Sequence, residues 1–356
     1  MALFKDMLHS DESLFRDEEA LNYDFIPKIL KYRENQQRHV ATCIKPLFSE
    51  RAGKNCFVSG APGIGKTAAI RWVLRDLEEE TDDIKPFYVN CWQKNTTFKV
   101  MLSLCEQLGY KFTQNKNTEE LFKVVKDLLI NKGAVFAFDE VDKLDDFDFL
   151  YSILEEVQLK SVVLLTNYKE WLMDLDERIK SRLMCEVLHF EPYSATETLG
   201  ILQERVRYAF FPQVWSEDAL RSLGDKTFAK KDIRTGIYLL KESGRVAEEG
   251  AQRKIILDHV EKAIGKLDEF SVKKKDDLED ESQKILEVVK EFSGGKAGDL
   301  YKKFQAREGL GSYKSFMRRV EKLEKGGFFI VKRTSGGVDG NTSFISMKEE
   351  KKITDY

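Results

Sequence analysis

Short, nearly continuous apolar runs alternate through the first half of this chain with longer stretches in which apolar residues recur every three or four positions. The runs Asn55 to Ser59, Pro86 to Cys91, Ala134 to Asp139, Ser161 to Thr166 and Glu186 to Phe190 predict strands. Ala134 to Asp139, apolar until its last residue, suits a central parallel strand buried on both faces. Between the runs the period predicts helices at Arg33 to Phe48, Thr67 to Glu79, Thr97 to Leu108, Glu119 to Asn131 with Thr118 as its cap, Asp145 to Lys160 and Leu175 to Leu183. Strands and helices in alternation argue for a parallel α/β sheet that binds ligands at the C-terminal ends of its strands.

From Ser194 the pattern is helical only. Ser194-Ala195-Thr196-Glu197 reads as a capping box before a helix reaching Phe210, and helices follow at Ser216 to Leu223, Lys230 to Glu248 and Ile255 to Lys266. This is the layout of a small helical lid. The run from Lys273 to Glu281 is dense in charge and poor in apolar residues, which predicts a linker or an exposed helix start. Three further helices, Ser282 to Phe292, Ala297 to Arg307 and Tyr313 to Lys325, precede two β-like runs, Phe328 to Lys332 and Ser343 to Met347, joined by a glycine-rich turn. Three helices and a hairpin make a winged helix-turn-helix. The expected domains are therefore an α/β nucleotide-binding domain over residues 1–193 opened by a loose arm over 1–20, a lid over 194–270, a linker over 271–283 and a winged helix over 284–356.

Charge sharpens this division. The 356 residues carry a net charge of −3, yet the segment from Glu281 to Tyr356 holds 16 Lys and Arg against 11 Asp and Glu, so the basic part is C-terminal and points to an anionic partner there. No run of about 18 apolar residues occurs and the start of the chain is acidic, so no membrane span or signal peptide is expected, and the reading is an intracellular, cytoplasmic protein. Cys43, Cys56, Cys91, Cys105 and Cys185 are scattered without a C-x-x-C pair and are expected as buried free thiols; His9, His39, His189 and His259 lie in separate segments and give no sequence support for a metal site.

The densest chemistry lies at Gly60-Ala61-Pro62-Gly63-Ile64-Gly65-Lys66-Thr67-Ala68, which fits the phosphate-loop pattern G-x-x-x-x-G-K-[ST] between a strand and a helix. Glycines let successive N–H groups curl inward, Lys66 can reach the outer phosphates, and the Thr67 hydroxyl can ligate Mg²⁺ at a helix N-terminus that favours anions. A glycine-rich turn in an unrelated loop is the competing reading, and the strand-loop-helix setting argues against it. Asp139-Glu140 at a strand end suits Mg²⁺ binding by Asp139 and orientation of the attacking water by Glu140, unless the pair merely caps the strand. Asn167 ends the next strand, where its amide could contact the γ-phosphate or the water, although Asn is also a common turn residue. Arg178 and Arg182 share a helix face suited to reaching a γ-phosphate on a neighbouring subunit, and Arg234 could clamp it from the lid; solvated surface arginines are the alternative for each.

The ordered set GAPGIGKT, FDEVDKL, LLTN, LDERIKSRL, HFEPYS and DIRTGIYLLKESGRVAEEG, preceded by LFRDEEALNYDFIPKILKYRENQQ, resembles the AAA+ replication initiators. More narrowly, it is similar to the archaeal proteins related to the eukaryotic origin recognition complex subunit one and the cell-division-cycle loader. The resemblance runs from Leu14 to Met347 and implies a fold: an α/β AAA+ ATPase domain with a parallel sheet and P-loop, an α-helical lid and a C-terminal winged helix-turn-helix. It makes Lys66 and Thr67 Walker A, Asp139 and Glu140 Walker B, Asn167 sensor 1, Arg182 the arginine finger with Arg178 beside it, and Arg234 the sensor 2 arginine. Ile26, Pro27 and Tyr193 fall where the family encloses adenine.

By the same resemblance the cofactors are ATP or ADP with Mg²⁺, and the partners are double-stranded origin DNA, the replicative MCM helicase and paralogous initiator subunits, on the nucleoid and with no membrane. Two departures stand out. The segment between Walker B and sensor 1, which touches DNA in the family, is short and acidic here (Asp145, Asp146, Asp148, Glu155, Glu156), and Lys231 stands where glycine is frequent before the sensor 2 aspartate. Within the winged helix, Ser312, Tyr313, Lys314, Ser315, Arg318 and Arg319 on the third helix, with Lys332 and Arg333 at the wing, are the candidate DNA contacts. A winged helix used for protein contact, in a regulator of transposition or recombination, and an ATP-sensing transcription factor remain open at this stage.

Overall fold

The computed structural model describes residues 13–276, 280–307, 309–325, 328–337 and 340–347, with the backbone alone for 269–276, 280–281, 322, 325, 333–337 and 340–342. Five parallel strands, β1 (Cys56–Gly60), β2 (Ile84–Asn90), β3 (Gly133–Asp139), β4 (Lys160–Thr166) and β5 (Glu186–Phe190), lie in the order β2-β3-β4-β1-β5. The strand carrying the phosphate loop thus sits between β4 and β5 rather than beside β2, and its C-terminal end opens next to those of β4 and β5, with β3 one strand further on. This crossover point is where a doubly wound sheet binds ligands.

The period of two in the central strands sorts side chains to two cores. Phe57, Phe87, Phe136, Phe138, Val162 and Leu164 face α3 (Thr97–Gln107), α4 (Thr118–Leu128), α5 (Asp148–Glu156) and α7 (Glu177–Leu183), which follows the short α6 (Trp171–Asp174). Cys56, Val58, Val135, Ala137, Val163 and Leu165 face α1 (Glu34–Ile44) and α2 (Lys66–Glu80). β3 is buried along all of its residues, as a strand covered on both faces requires.

The lid contains α8 (Ala195–Ala209), α9 (Glu217–Lys230), α10 (Ile233–Glu249) and the start of α11 (Leu257–Asp276). Residues 13–264 close into one compact unit with the sheet, and a second unit begins at Gly265. In that unit α12 (Asp280–Glu291), α13 (Ala297–Ala306) and α14 (Tyr313–Lys325) pack on a three-stranded antiparallel sheet ordered β6 (Gly295–Lys296), β8 (Gly340–Met347), β7 (Phe329–Gly337), the winged-helix layout. Its core joins Ile285, Val288, Leu300, Phe304, Phe316, Val320 and Ile345.

Several elements differ from expectation, each for a local reason. The arm is not loose where it is described: Phe15 packs on Phe210 at 4.7 Å, Ala20 and Leu21 are buried, and the N–H groups of Arg16 and Asp17 donate to Ala209 O. Residues 1–12 lie outside the described residues. The expected linker is helical on either side of residues 277–279, which lie outside the described residues, because α11 continues to Asp276 and α12 begins at Asp280.

The cap of α4 is Asn117, which forms a reciprocal capping box with Glu120 and so starts the helix at Thr118 itself. Helix α5 is shorter than Asp145 to Lys160. Asp145 and Asp146 turn back to accept from Asn95 and from Thr97 at the start of α3, while Lys160 already belongs to β4. Similarly, α9 absorbs Lys230 and ends at Lys231, so α10 opens only after Asp232.

Candidate nucleotide site

The phosphate loop leaves the end of β1 and enters α2 through Gly65, whose φ of +88° belongs to the left-handed region. A Cβ on Gly65 would lie 2.5 Å from the Tyr193 hydroxyl, and one on Gly63 would overlap the Asp232 carboxylate. Both positions need glycine for approach as well as for conformation. Ile64 is buried beneath the loop, and the guanidinium of Arg33, itself buried, donates to Ile64 O at 2.8 Å and to Glu191 O at 2.8 Å while lying 3.8 Å over the Tyr193 ring. One arginine thereby ties the loop to the end of β5.

Lys66 points back across the loop. Its ammonium donates to Gly60 O at 2.7 Å, Ala61 O at 2.8 Å and Asn167 Oδ1 at 2.8 Å. These acceptors are carbonyl oxygens without formal charge. Burial, only partly offset by the more distant Asp139, therefore lowers the lysine to about 8. A buried cation short of negative charge, beside the first-turn N–H groups of α2, is a fit for phosphate.

The Thr67 hydroxyl donates to Asp139 Oδ2 at 2.6 Å, Tyr88 donates to the same oxygen at 2.9 Å, and Asp139 Oδ1 takes the Glu140 N–H at 2.9 Å. A hydroxyl and a carboxylate side by side offer the hard oxygen donors that Mg²⁺ takes alongside water and phosphate. Glu140 holds a left-handed φ of +56°, an uncommon conformation for a carboxylate residue that turns it into the cleft at the sheet edge. Burial, then the charges of Asp139 and Asp142, raise its carboxyl above the usual range. Asn167, having accepted from Lys66, keeps its amide N–H groups for the cleft.

The cleft spans about 1130 Å³ including its open mouth. Of the expected cofactor residues, Pro27, Pro62, Gly63, Gly65, Lys66, Thr67, Ala68, Asp139, Glu140, Asn167, Tyr193 and Arg234 line it. Gly60 and Ala61 contribute carbonyls to Lys66, Ile64 supports the loop from below, and Ile26 gives its carbonyl to Arg75 at 3.3 Å. Arg234 enters from the first turn of α10, whose start is joined to the loop by Ile233 N–H donating to Gly63 O at 3.1 Å.

Arg178 and Arg182 do not line the cleft of their own chain: Arg178 pairs with Asp176 and is mostly exposed, and Arg182 pairs with Glu155 and lies over the Tyr151 ring.

Residues not anticipated complete the site. Tyr23, Ile29 and Leu30 from the entry segment, Ile201 and Tyr208 from α8, and Ile233 and Ile237 from α10 give it apolar surface suited to a planar base, beside the charged Lys31, Glu204 and Arg205. The repeat of apolar positions along α8 and α10 was visible, but nothing in it distinguished a ligand wall from core. Arg205 on α8, buried and lowered to about 10 by burial, donates to Ala20 O at 2.9 Å and Phe25 O at 3.0 Å, pinning the entry segment to the lid.

In the second unit Tyr313, Lys314 and Arg318 are exposed on α14, with Ser312 just before it and Lys332 exposed on β7. Ser315 and Arg319 are half-buried, and Arg319 donates to Ser315 Oγ at 3.0 Å and to Leu310 O at 3.5 Å, so it braces the turn before α14 as well as edging its outer face. The Arg333 side chain lies outside the described residues.

Comparison with known proteins matches residues 50–173 to the AAA domain family and residues 199–265 to the Cdc6 AAA+ ATPase-type lid domain family. The chain is 31% identical over 363 residues to an ORC1-type DNA replication protein 2 of Methanosarcina mazei, covering 97% of this chain and 96% of that one. It is 30% identical to the ORC1-type DNA replication protein 2 of Methanothermobacter thermautotrophicus, covering 96% and 94%. Among solved structures it is similar to the Aeropyrum pernix ORC1 protein in complex with DNA, with a TM-score of 0.72 at 25% identity over 96% of this chain and 95% of that chain.

Proposed function

Because the chain belongs to the family of ORC1-type DNA replication proteins, we propose that it is an ATP-dependent replication initiator, which binds duplex origin DNA and helps recruit and load the replicative MCM helicase. The observation that carries the nucleotide half of this reading is the buried Lys66 ammonium, coordinated by carbonyls alone between the phosphate loop and Asn167. Bound ATP with Mg²⁺ supplies a transferable γ-phosphoryl group and the charge that neutralises it in transfer. Lys66 and the loop N–H groups hold the phosphates, and Thr67 and Asp139 hold the ion. Glu140, its carboxyl raised above the ordinary value by burial, orients water and accepts its proton, and Asn167 aligns that water.

Arg234 closes the γ-phosphate side from the lid. Since α10 begins on the phosphate loop, the presence or loss of the γ-phosphate biases how tightly lid and sheet close, and slow hydrolysis acts as a switch. Arg182, with Arg178 beside it, reaches the cleft of an adjoining initiator subunit, a paralogue or a second copy. Duplex DNA is read by Tyr313, Lys314 and Arg318, with Ser312, Ser315 and Arg319 bracing α14 and Lys332 and Arg333 in the wing.

The test is DNA binding with ATP, with ADP and with a Lys66→Ala variant across a salt series. About five phosphate contacts give a slope of log K on log salt near −4 to −5, with ATP and ADP differing only in the parent protein. A slope near zero removes the DNA site; identical binding in all nucleotide states removes the switch.

A further inference from the structure

At the opposite end of β1 from the phosphate loop, the fold gathers residues that are far apart in sequence. His39 and Cys43 stand four residues apart on one face of α1, and Cys56 opens β1 directly opposite Glu186 of β5. A ring nitrogen of His39 and the sulfurs of Cys43 and Cys56 all lie within 4.8 Å of one another. Both thiols are fully buried. His39 Nε2 is inaccessible to solvent and, though 3.2 Å from Glu186 Oε2, makes no hydrogen bond. Among the described residues this is the one set of three or more metal-ligating side chains so gathered.

Two soft sulfurs and an imidazole nitrogen within 4.8 Å of one another form a donor set with a preference of its own. Thiolates select zinc and other borderline or soft ions over Mg²⁺ or Ca²⁺, and a two-cysteine, one-histidine set leaves a fourth tetrahedral position to be filled by oxygen. The Glu186 carboxylate already faces His39 and is anchored by Lys54 at 2.5 Å. Donor atoms within 4.8 Å need only modest rotation to reach the separations of a tetrahedral site, whose bonds are about 2.0–2.3 Å.

We propose that His39, Cys43 and Cys56, with Glu186 at the fourth position, bind one zinc-class divalent ion that fastens α1 to β1 behind the phosphate loop. Binding displaces one proton from each thiol to solvent, and the two thiolates balance the ion's charge. The ion is structural, and its place is independent of the nucleotide.

The experiment uses the full chain, stripped with chelator under reducing conditions and titrated with Co²⁺ and then Zn²⁺. The expected result is one equivalent of Co²⁺ with a thiolate charge-transfer band and tetrahedral absorption, displaced by Zn²⁺, with a higher melting temperature for the zinc form. Cys43→Ser and Cys56→Ser abolish the band, and His39→Gln weakens binding by more than the ~10–100-fold that losing an outer partner costs. Cys185→Ser, outside the cluster, leaves it unchanged.

Should a serine variant fail to fold, alkylation of the parent protein decides. Zn²⁺ should protect Cys43 and Cys56 against a thiol reagent in mild denaturant by a larger factor than it protects Cys91 and Cys105. Absence of the band, a band that survives in both serine variants, or equal protection of all four cysteines overturns the site.

Discussion

Lys66 carries the residue-scale account because its charge is set against its surroundings. In the unliganded fold it sits near 8, against 10.5 in the unfolded chain, so between those values the unfolded chain binds more protons and unliganded stability rises with pH. Phosphate reverses the imbalance by favouring the ammonium. Nucleotide binding should therefore take up a proton at about pH 9, and affinity should fall as pH climbs through 8. Calorimetry in two buffers of different ionisation enthalpy reads this directly, and equal heats in both would count against a neutral Lys66 in the free protein. Gly63 supplies a second test. An added Cβ meets the Asp232 carboxylate, and the residue's φ of +74° disfavours any side chain. Gly63→Ala should weaken ATP binding at least ~10-fold, or about 1.4 kcal/mol. Unchanged affinity would mean that loop and lid do not need their close contact.

At the scale of elements, the joint between α9 and α10 carries a strained residue. Lys231 keeps a left-handed conformation, φ +54°, at the position where glycine is frequent in the family, so the turn before Asp232 survives at the cost of backbone strain. Lys231→Gly should stabilise the protein by about 1 kcal/mol, raising the thermal midpoint by roughly 2–4 °C, as scanning calorimetry would reveal. A lower midpoint would show that the lysine's reduced chain entropy outweighs the strain.

The elements themselves were largely legible. Runs such as AVFAFD and SVVLLT can be little else than buried parallel strands, and GAPGIGKT fixed the loop between β1 and α2. The boundaries that shifted did so through side chains acting across the fold. Asp145 holds the Asn95 side chain and Asp146 takes the Thr97 N–H at the start of α3 instead of starting α5, which no local pattern announces. The apolar surface of the cleft was hidden for a related reason, since Ile201, Tyr208 and Ile237 share their helical period with core residues. His39, Cys43 and Cys56 meet only because α1 lies against β1.

On the scale of the whole molecule, the proposed function needs three parts: the cleft shared by sheet and lid, the exposed basic side chains of the second unit, and an arginine acting on another subunit. Because Arg182 pairs with Glu155 and does not line its own cleft, Arg182→Ala should leave the dilute protein's ATPase rate unchanged and lower it several-fold in assembled or DNA-bound protein. Titrating turnover against concentration checks this; a rate independent of concentration and of the mutation would remove the finger role. The most direct test of the central claim is a genome-wide footprint of the protein in its own cells, with a Lys314→Ala, Arg318→Ala variant alongside. Peaks at replication starts that vanish in the variant are expected, whereas peaks remote from any start, or peaks that persist in the variant, would contradict the initiator reading.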